Sequence, residues 1–395
     1  MIPYGRQQIN QADIDAVLAV LNSDFLTQGP QVPAFEAAVA QRCGAGHGVA
    51  FSSATAALHV ACLALDLGPG DWLWTSPNTF VASANCALYC GAHVDFVDID
   101  PGTLNMSVSA LEQKLCEAQR SGCLPKLVMP VHFAGQPCDM KAIHELSVKF
   151  GFRIIEDASH AIGATYRGEP VGNCRYSDIA VFSFHPVKII TTAEGGLATT
   201  NDPAIAKRMQ LLRSHGITRD TGQMLAQDRG AWHYEQHELG FNYRMTEIQA
   251  ALGVSQLCRL DEFVQKRTIL AERYSRLLDP LPLNLPTQLA WARSAWHLQV
   301  VEIHGDAEQR RGVFDHMRAK RVGVNVHYVP VYLQPYWQAL GYRRGLCPNA
   351  EAYFDRAITL PLYPGLTPSE QDSVVSALAE ALQITSPAAA SEACL

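Results

Sequence analysis

Between residues 45 and 200, short apolar runs alternate with longer amphipathic segments, and no other feature of the sequence constrains the fold as much. Residues 48–51, 72–75 and 153–156 are apolar runs of strand length, whereas residues 54–65 and 140–150 repeat their apolar side chains at helical spacing. Strands that are joined by helices run parallel, and the helices cover both faces of the sheet. The sequence therefore predicts an α/β fold with a mostly parallel central sheet.

The order of elements changes from residue 179 onward, and a further change beyond about residue 280 predicts a smaller second domain. Runs of strand length at 179–184 and 196–200 have no long helix between them, so we expect an antiparallel insertion there. The later elements are a bent or broken helix at 246–278, a strand at 296–303, a helix at 307–320, a strand at 323–327 and a final helix after Pro368. We predict a large domain at residues 1–255, which includes an N-terminal arm, and a smaller C-terminal α+β domain at residues 256–395.

Charge and composition argue against several classes of protein. The 395 residues include 31 basic and 38 acidic side chains, and a net charge of −7 does not suit a nucleic-acid or anionic-membrane partner. No stretch has the ~20 apolar residues of a membrane-spanning helix, and the N-terminus is polar. The 11 cysteines include no C-x-x-C pair, so we predict neither a zinc site nor a disulfide framework. We expect a cytoplasmic enzyme without a metal.

Lys188 and Asp157 are the candidates for catalysis. Lys188 lies among apolar, glycine and hydroxyl residues, where burial disfavours the ammonium form and leaves an amine that attacks aldehydes. Asp157 ends an apolar run, at the sheet edge where open α/β folds bind ligands. A carboxylate there can hold a pyridinium nitrogen protonated, as pyridoxal phosphate chemistry requires. The alternative is that the two side chains form a structural ion pair or are unrelated to each other.

A phosphate site is indicated independently at residues 53–55, which follow a strand and begin a helix whose free N–H groups can bind an anion. Ser183 could add a hydroxyl donor. An ordinary Ser/Thr N-cap would have the same sequence. His160 follows Asp157 by three residues and could contact a cofactor ring, and Phe80 could stack on that ring. A structural histidine and a core aromatic are the alternatives for these two residues.

Eight segments taken together resemble a known family. They are LTQG at 26–29, SATAAL at 53–58, IEDASHA at 155–161, FSFHPVK at 182–188, EGG at 194–196, RSHG at 213–216, GFNYRM at 240–245 and EIQAALG at 247–253. In this order they resemble the sugar-nucleotide aminotransferases of the DegT/DnrJ/EryC1/StrS family, and the likeness covers nearly the whole chain. The resemblance implies a fold-type-I aminotransferase that depends on pyridoxal 5′-phosphate.

The resemblance also implies a role for each matching residue. Lys188 matches the lysine that binds the cofactor covalently, Asp157 the partner of the pyridine nitrogen, and His160 a residue, often glutamine, that bonds the ring hydroxyl. Some relatives have histidine in place of the lysine and act as dehydrases, so Lys188 favours transamination. The expected phosphate ligands are Ala54, through its backbone, Thr55, Ser183 and, from the second subunit, Asn242. The active unit would therefore be a homodimer with shared sites.

Within the family, the sequence is most similar to the enzymes that aminate C4 of a UDP-linked 4-keto sugar in pseudaminic acid biosynthesis. KIITTAEGG at 188–196 and HYVPVY at 327–332 support this similarity. It implies that the substrate is UDP-2-acetamido-2,6-dideoxy-β-L-arabino-hex-4-ulose and that L-glutamate is the amino donor. The alternatives are a family aminotransferase for another keto-sugar nucleotide and a non-catalytic regulator that binds pyridoxal phosphate.

The same similarity predicts the residues that bind the substrates. The sugar-nucleotide pocket would be lined by Tyr4, Leu26, Thr27, Gln28, Gly29, Tyr234, His327, Tyr328, Val329 and Pro330. The candidates for binding the glutamate carboxylate are Arg213, Arg229 and Arg244, and the sequence does not rank them.

Overall fold

The computed structural model describes residues 1–225 and 230–384, and a seven-stranded sheet forms its centre. The strands of the chain are β1 (His47–Phe51), β2 (Trp72–Thr75), β3 (His93–Phe96), β4 (Leu127–Met129), β5 (Arg153–Asp157), β6 (Thr165–Tyr166), β7 (Glu169–Pro170), β8 (Ile179–Ser183), β9 (Gly196–Thr200), β10 (Ile217–Thr218), β11 (Glu235–Gln236), β12 (Leu283–Asn284), β13 (Ala292–Arg293), β14 (Gln299–Ile303) and β15 (Ala357–Leu360). The order in the central sheet is β1-β9-β8-β5-β4-β2-β3. Strand β9 runs antiparallel to both neighbours and the other pairs are parallel, which confirms the predicted antiparallel insertion.

Helices connect these strands and cover the sheet. They are α1 (Gln11–Leu21), α2 (Gln31–Cys43), α3 (Ala54–Ala64), α4 (Ala82–Tyr89), α5 (Val108–Ser121), α6 (Met140–Phe150), α7 (Pro203–Leu212), α8 (Glu247–Leu257), α9 (Leu260–Leu278), α10 (Ala307–Ala319), α11 (Pro335–Ala339), α12 (Pro348–Arg356) and α13 (Pro368–Ile384). In β4, Leu127 and Met129 pack in one apolar cluster with α3 and α4. Val128, which points to the opposite face, packs in another cluster with α5 and α6. Both faces are therefore buried, as the continuous apolar strands predict.

The C-terminal part has its own antiparallel sheet, in the order β12-β14-β15, packed against α10 and α13. The predicted helix at 246–278 is broken, because α8 ends at Leu257 and α9 begins at Leu260. The predicted domain boundary between residues 255 and 256 lies inside α8 and stays a prediction. In the described ranges, no helix combines the length and apolarity needed to cross a membrane.

The prediction of a strand at 323–327 was wrong. Single bridges replace the ladder: Val322, just before this segment, pairs with Ile2 of the N-terminal arm, and Asn325 pairs with Thr359 of β15. Its apolar pattern reflects burial between the arm and the small sheet, so alternation alone did not indicate a ladder. The predicted strand at 296–303 begins later, at Gln299, because the backbone of Trp296 has a positive φ of 52°.

Candidate active site

Asp157 is the last residue of β5 and lies at the carboxyl edge of the parallel strands. Its Oδ2 accepts a hydrogen bond of 2.6 Å from the Ser83 hydroxyl, and its Oδ1 accepts one of 3.1 Å from the Ser159 backbone N–H. The side chain is buried, and these two bonds fix its orientation. The fold therefore holds a carboxylate at the edge where an α/β sheet binds ligands.

Lys188 lies in the loop between β8 and β9, partly buried, with its Nζ 3.5 Å from Nε2 of His297. Burial lowers the pKa of the Lys188 amine to about 8, an effect that the Asp157 carboxylate opposes. In the part of the chain that the structure describes, no ion pair joins Lys188 to Asp157. The arrangement therefore differs from the structural ion pair that was the alternative reading, and it leaves a basic amine near a fixed carboxylate.

Three buried histidines surround this amine. Burial and the positive charge of Lys188 hold the pKa values of His160 and His297 well below the usual range and lower that of His327 to about 3. The rings of His160 and His297 are 4.3 Å apart, and Nε2 of His160 lies 3.3 Å from the Tyr328 hydroxyl. All three imidazoles are thus neutral at physiological pH, so they contribute hydrogen bonds and not charge.

The candidate phosphate ligands meet where β9 passes the N-terminus of α3. Gly196 pairs with Ser183 on one side, and a Cβ added to Gly196 would lie 2.5 Å from the backbone of Ala54. Ser53 is the N-cap, since its hydroxyl accepts a hydrogen bond of 3.1 Å from the Ala56 N–H. This cap leaves the first N–H groups of α3 without a partner inside the helix. Ser53 can therefore cap the helix while the N-terminus of α3 also binds a phosphate. We call the close approach of Gly196 to the N-terminus of α3 the phosphate cradle, and Thr55 is half-buried beside it.

Part of the predicted sugar-nucleotide pocket adjoins the histidines. The rings of Tyr4 and His327 are 5.6 Å apart, and the Tyr328 N–H donates a bond of 3.1 Å to Oδ1 of Asn78. The Tyr4 carbonyl accepts a hydrogen bond of 3.0 Å from the N–H of Leu362, which attaches the N-terminal arm to the C-terminal part of the chain. Val329 is half-buried and Pro330 buried. Phe80 is 60% exposed, three residues before the serine that bonds Asp157.

The other predicted pocket residues lie at the surface, without a described contact to Lys188. Leu26, Thr27 and Gln28 are exposed, Gly29 is half-buried, and the Leu26 carbonyl accepts a bond of 3.1 Å from the N–H of Glu247. Tyr234 is exposed and its ring faces the Arg219 guanidinium at 6.0 Å. Asn242 is exposed and forms a single bridge with Ser214. Their proposed roles all stay predictions.

The structure distinguishes among the arginines that were considered for the amino donor. The guanidinium of Arg213 bonds the Glu36 carboxylate and the Ala50 carbonyl, so its charge is already compensated inside the protein. Arg244 is half-buried, and Arg229 lies outside the described residues. Over residues 1–225 and 230–384, His, Cys, Asp and Glu side chains form no cluster that could hold a metal.

The sequence analysis did not predict two residues of the candidate site, Ser83 and His297. Ser83 follows Phe80 by one helical turn, and that spacing was the only local signal for it. His297 precedes an apolar strand and resembles any core histidine in sequence. Both reach the site through contacts with residues far away in the chain, which spacing rules cannot indicate.

Comparison with known proteins identifies the family. Residues 7–379 match the DegT/DnrJ/EryC1/StrS aminotransferase family. The chain belongs to this family. It is 37% identical over 385 residues to the spore coat polysaccharide biosynthesis protein SpsC of Bacillus subtilis. The aligned region covers 95% of this chain and 96% of SpsC. Among solved structures, it is similar to Helicobacter pylori PseC, with a TM-score of 0.89, 30% identity and coverage of 97% and 99% of the two chains.

The sugar aminotransferase Spr1654 of Streptococcus pneumoniae, solved in its PMP form, gives a TM-score of 0.90 at 30% identity, covering 98% of this chain and 100% of that chain. It has also been solved in its PLP form. The predicted fold class, that of the fold-type-I enzymes, is confirmed, and the protein is an aminotransferase that depends on pyridoxal 5′-phosphate.

The residues of this chain fit that cofactor. Nδ1 of His160 and Nδ1 of His297 are buried and have no hydrogen-bond partner among the described residues. Polar atoms in such positions are costly unless a bound molecule satisfies them. With the amine of Lys188, the carboxylate of Asp157 and the cradle at Gly196, they offer a covalent anchor, a nitrogen partner, ring contacts and a phosphate site. Bound there, pyridoxal phosphate supplies an aldehyde and an electron sink.

Proposed function

We propose that the protein transfers the amino group of L-glutamate to C4 of UDP-2-acetamido-2,6-dideoxy-β-L-arabino-hex-4-ulose. The products are UDP-4-amino-4,6-dideoxy-N-acetyl-β-L-altrosamine and 2-oxoglutarate. The observation that carries this proposal is the similarity over nearly the whole chain to PseC, an aminotransferase involved in the biosynthesis of pseudaminic acid. The free, unpaired state of the ten described cysteines supports a reducing compartment, the cytoplasm, as the place of action.

The geometry supports a division of labour among the polar residues of the site. Lys188 would bind the cofactor and move the proton, because a pKa lowered to about 8 makes the amine a better match to neutral pH than an ordinary lysine. Asp157, fixed by two hydrogen bonds, holds the pyridine nitrogen protonated. His160 would contact the cofactor ring, and Phe80, whose side chain is 60% exposed, would stack on it. The phosphate binds at Ala54, Thr55 and Ser183.

The sugar nucleotide is proposed to bind between the N-terminal arm and the segment that follows Asn325. Tyr4, His327 and Tyr328 meet there through ring contacts of 5.6 and 4.8 Å. Because these side chains combine aromatic faces with hydroxyl and imidazole groups, they suit a uracil or sugar ring with several hydroxyls. The loop at 26–29 and Tyr234 complete the proposed pocket from the surface.

We also propose that the active unit is a homodimer in which Asn242 reaches the phosphate of the other subunit. Asn242 is exposed, so it is free to contact a second copy. Large apolar side chains on and after α1 are about half exposed: Ile14, Leu18, Leu21, Phe25 and Leu26. An apolar surface of this kind is typical of an interface. The variants Lys188→Ala and Asn242→Ala should each be inactive, and mixing them should restore part of the activity, because a mixed dimer contains one intact shared site. If a confirmed mixed dimer is inactive, the sites are not shared.

The decisive experiment for the reaction is an assay of several UDP- and dTDP-linked keto sugars with L-glutamate, with the products identified by mass spectrometry. We expect amination of the named 4-keto sugar by the native protein and none by Lys188→Ala, whose fold should be unchanged by circular dichroism. Preference for another keto sugar would retain the family activity and reject the substrate. Borohydride reduction followed by peptide mapping should place the cofactor on Lys188, and a label elsewhere would reject the site.

The non-catalytic alternative has a simple signature. A regulator that merely binds pyridoxal phosphate would show the same cofactor spectrum before and after addition of L-glutamate. We expect the spectrum to change, because an aminotransferase takes up the amino group of the donor; the relative from S. pneumoniae has been solved in both a PLP form and a PMP form.

A further inference from the structure

We propose that His297 is a catalytic residue, whose Nε2 accepts a hydrogen bond from Nζ of Lys188 while that amine carries the transferred proton. The proposal rests on the function proposed above for Lys188. The two nitrogens are 3.5 Å apart, at the long limit of a hydrogen bond. Catalytic hydrogen bonds are often long in free enzymes and tighten when substrates bind. His297 therefore touches a reacting atom of the enzyme.

The direction of this hydrogen bond follows from the protonation states. His297 is neutral because burial and the nearby Lys188 charge hold the pKa of its imidazole well below the usual range. A neutral imidazole has one nitrogen that accepts and one that donates, whereas an ammonium only donates. Nε2 must then be the acceptor and Nδ1 carries the hydrogen. Nδ1 is buried without a partner in the described chain, so it remains available to a bound cofactor or substrate.

The fold places His297 through its backbone. The His297 N–H donates a bond of 2.9 Å to the Ala134 carbonyl, and the buried guanidinium of Arg267 donates to the carbonyls of His297 and Trp296 at 3.3 and 3.1 Å. Gly135 allows these segments to approach, since a Cβ there would lie 3.0 Å from the His297 nitrogen. Three separate parts of the chain thus fix the imidazole beside Nζ.

The proton transfer explains why an acceptor is needed at this place. When Nζ of Lys188 takes a proton from carbon, a C–H bond breaks, an N–H bond forms, and the electron pair stays on the carbon. The ammonium then has three N–H donors, and the site offers it few acceptors. The groups that face it are the carboxylate of Asp157 and the imidazoles of His160, His297 and His327, and the Tyr328 hydroxyl lies one step further away, 3.3 Å from Nε2 of His160. His297 stabilises and orients the ammonium without taking the proton itself.

Removal of this acceptor should lower the pKa of Lys188 by about one unit, because a hydrogen bond to a charged group favours the charged form. The measurement is the rate at which the apo protein binds pyridoxal 5′-phosphate as a function of pH, which reports the pKa of the attacking amine. We compare His297→Asn, whose side chain is too short to reach Nζ, with His297→Gln, whose amide oxygen can replace Nε2. The matched control is His304→Asn, an exposed histidine seven residues further along.

We expect His297→Asn to show the lowered pKa and a roughly tenfold slower single-turnover reaction with L-glutamate. His297→Gln should regain most of both, and His304→Asn should match the native protein. Equal behaviour of the Asn and Gln variants in both measurements would overturn the proposal. Amination of the keto sugar by the native protein, together with a borohydride label at Lys188 in each variant, shows that the proposed function stands even if the role of His297 does not.

A measurement on the unmodified histidine covers the case in which a His297 variant fails to fold. In protein labelled with nitrogen-15 histidine, Lys188→Ala should shift the Nε2 signal of one buried, neutral histidine, because that nitrogen loses its hydrogen-bond donor. An Nε2 spectrum that is identical in the native and Lys188→Ala proteins would contradict the proposed contact.

Discussion

Replacing Gly196 with alanine tests the phosphate cradle by geometry alone. The added Cβ would lie 2.5 Å from Cα and N of Ala54, which is 0.9 Å inside the 3.4 Å at which ordinary contact begins. The clash involves backbone atoms at the start of α3, so no side-chain rotation can relieve it. Gly196 is paired in the sheet with Ser183 and Phe51, and the strand therefore resists movement more than the helix end does.

The magnitude follows from the cost of overpacking, which is about 1–3 kcal/mol for an added methyl group in a packed region. If the N-terminus of α3 moves away to relieve the clash, its free N–H groups leave the phosphate. Cofactor affinity then falls by roughly 5–150-fold, because each 1.4 kcal/mol is a factor of ten in the dissociation constant. Equilibrium titration of the apo protein with pyridoxal 5′-phosphate, followed by absorbance, measures this directly.

The matched control is Gly68→Ala, because a Cβ added at Gly68 has no neighbour within 4 Å. It should bind the cofactor as the native protein does. Melting curves of the apo proteins separate a local effect from a general loss of stability. Native-like cofactor affinity in a folded Gly196→Ala protein would refute the assignment of the phosphate to this cradle.

Three further predictions concern the site and the arm that leads to it. Ser83→Ala should lower the free energy of unfolding in urea by about 1.5–3 kcal/mol, because the buried Asp157 carboxylate loses a hydroxyl donor at 2.6 Å; an unchanged midpoint would contradict this. Asp13→Ala should lower the free energy of unfolding by about 3 kcal/mol, since Asp13 is buried and pairs with Arg259 between α8 and α9. Asp15→Ala, on the exposed face of α1, should leave the free energy of unfolding unchanged. Lys188→Met should stabilise the apo protein in thermal melts at pH 7, because the native pKa of about 8 lies below the usual 10.5 and the folded state disfavours the ammonium. This advantage should shrink as the pH rises from about 8 to 10.5, and a constant difference across that range would exclude the lowered pKa.

Asp157 and Lys188 are residues whose importance local sequence patterns could predict. Asp157 could be placed at the sheet edge because the apolar run before it is local and unambiguous. Lys188 could be singled out because its neighbours in sequence are apolar or small. The same reasoning predicted that the Thr246–Leu278 region is broken, and α8 and α9 confirm this. In each case the signal lies within a few residues of the feature it describes.

Local sequence patterns could not predict which strands are neighbours in the sheet. Strand β1 pairs with β9 and not with β2, although β2 follows it in the chain. Pairing depends on the relative stability of whole arrangements, and the apolar character of β1 suits several of them. The segment at 323–327 shows the same limit, since burial between the N-terminal arm and β15 produced a strand-like pattern without a strand.

The sequence by itself determined the alternation of elements and the family segments, and it predicted the catalytic lysine and carboxylate, because periodicity and motifs are properties of neighbouring residues. Only the tertiary structure decided which groups surround them. Ser83 reaches Asp157 across 74 residues of chain, and His297 reaches Lys188 across 109. These contacts arise when separate strands, helices and loops converge at one edge of the sheet, and the resulting burial lowers the pKa of the Lys188 amine to about 8.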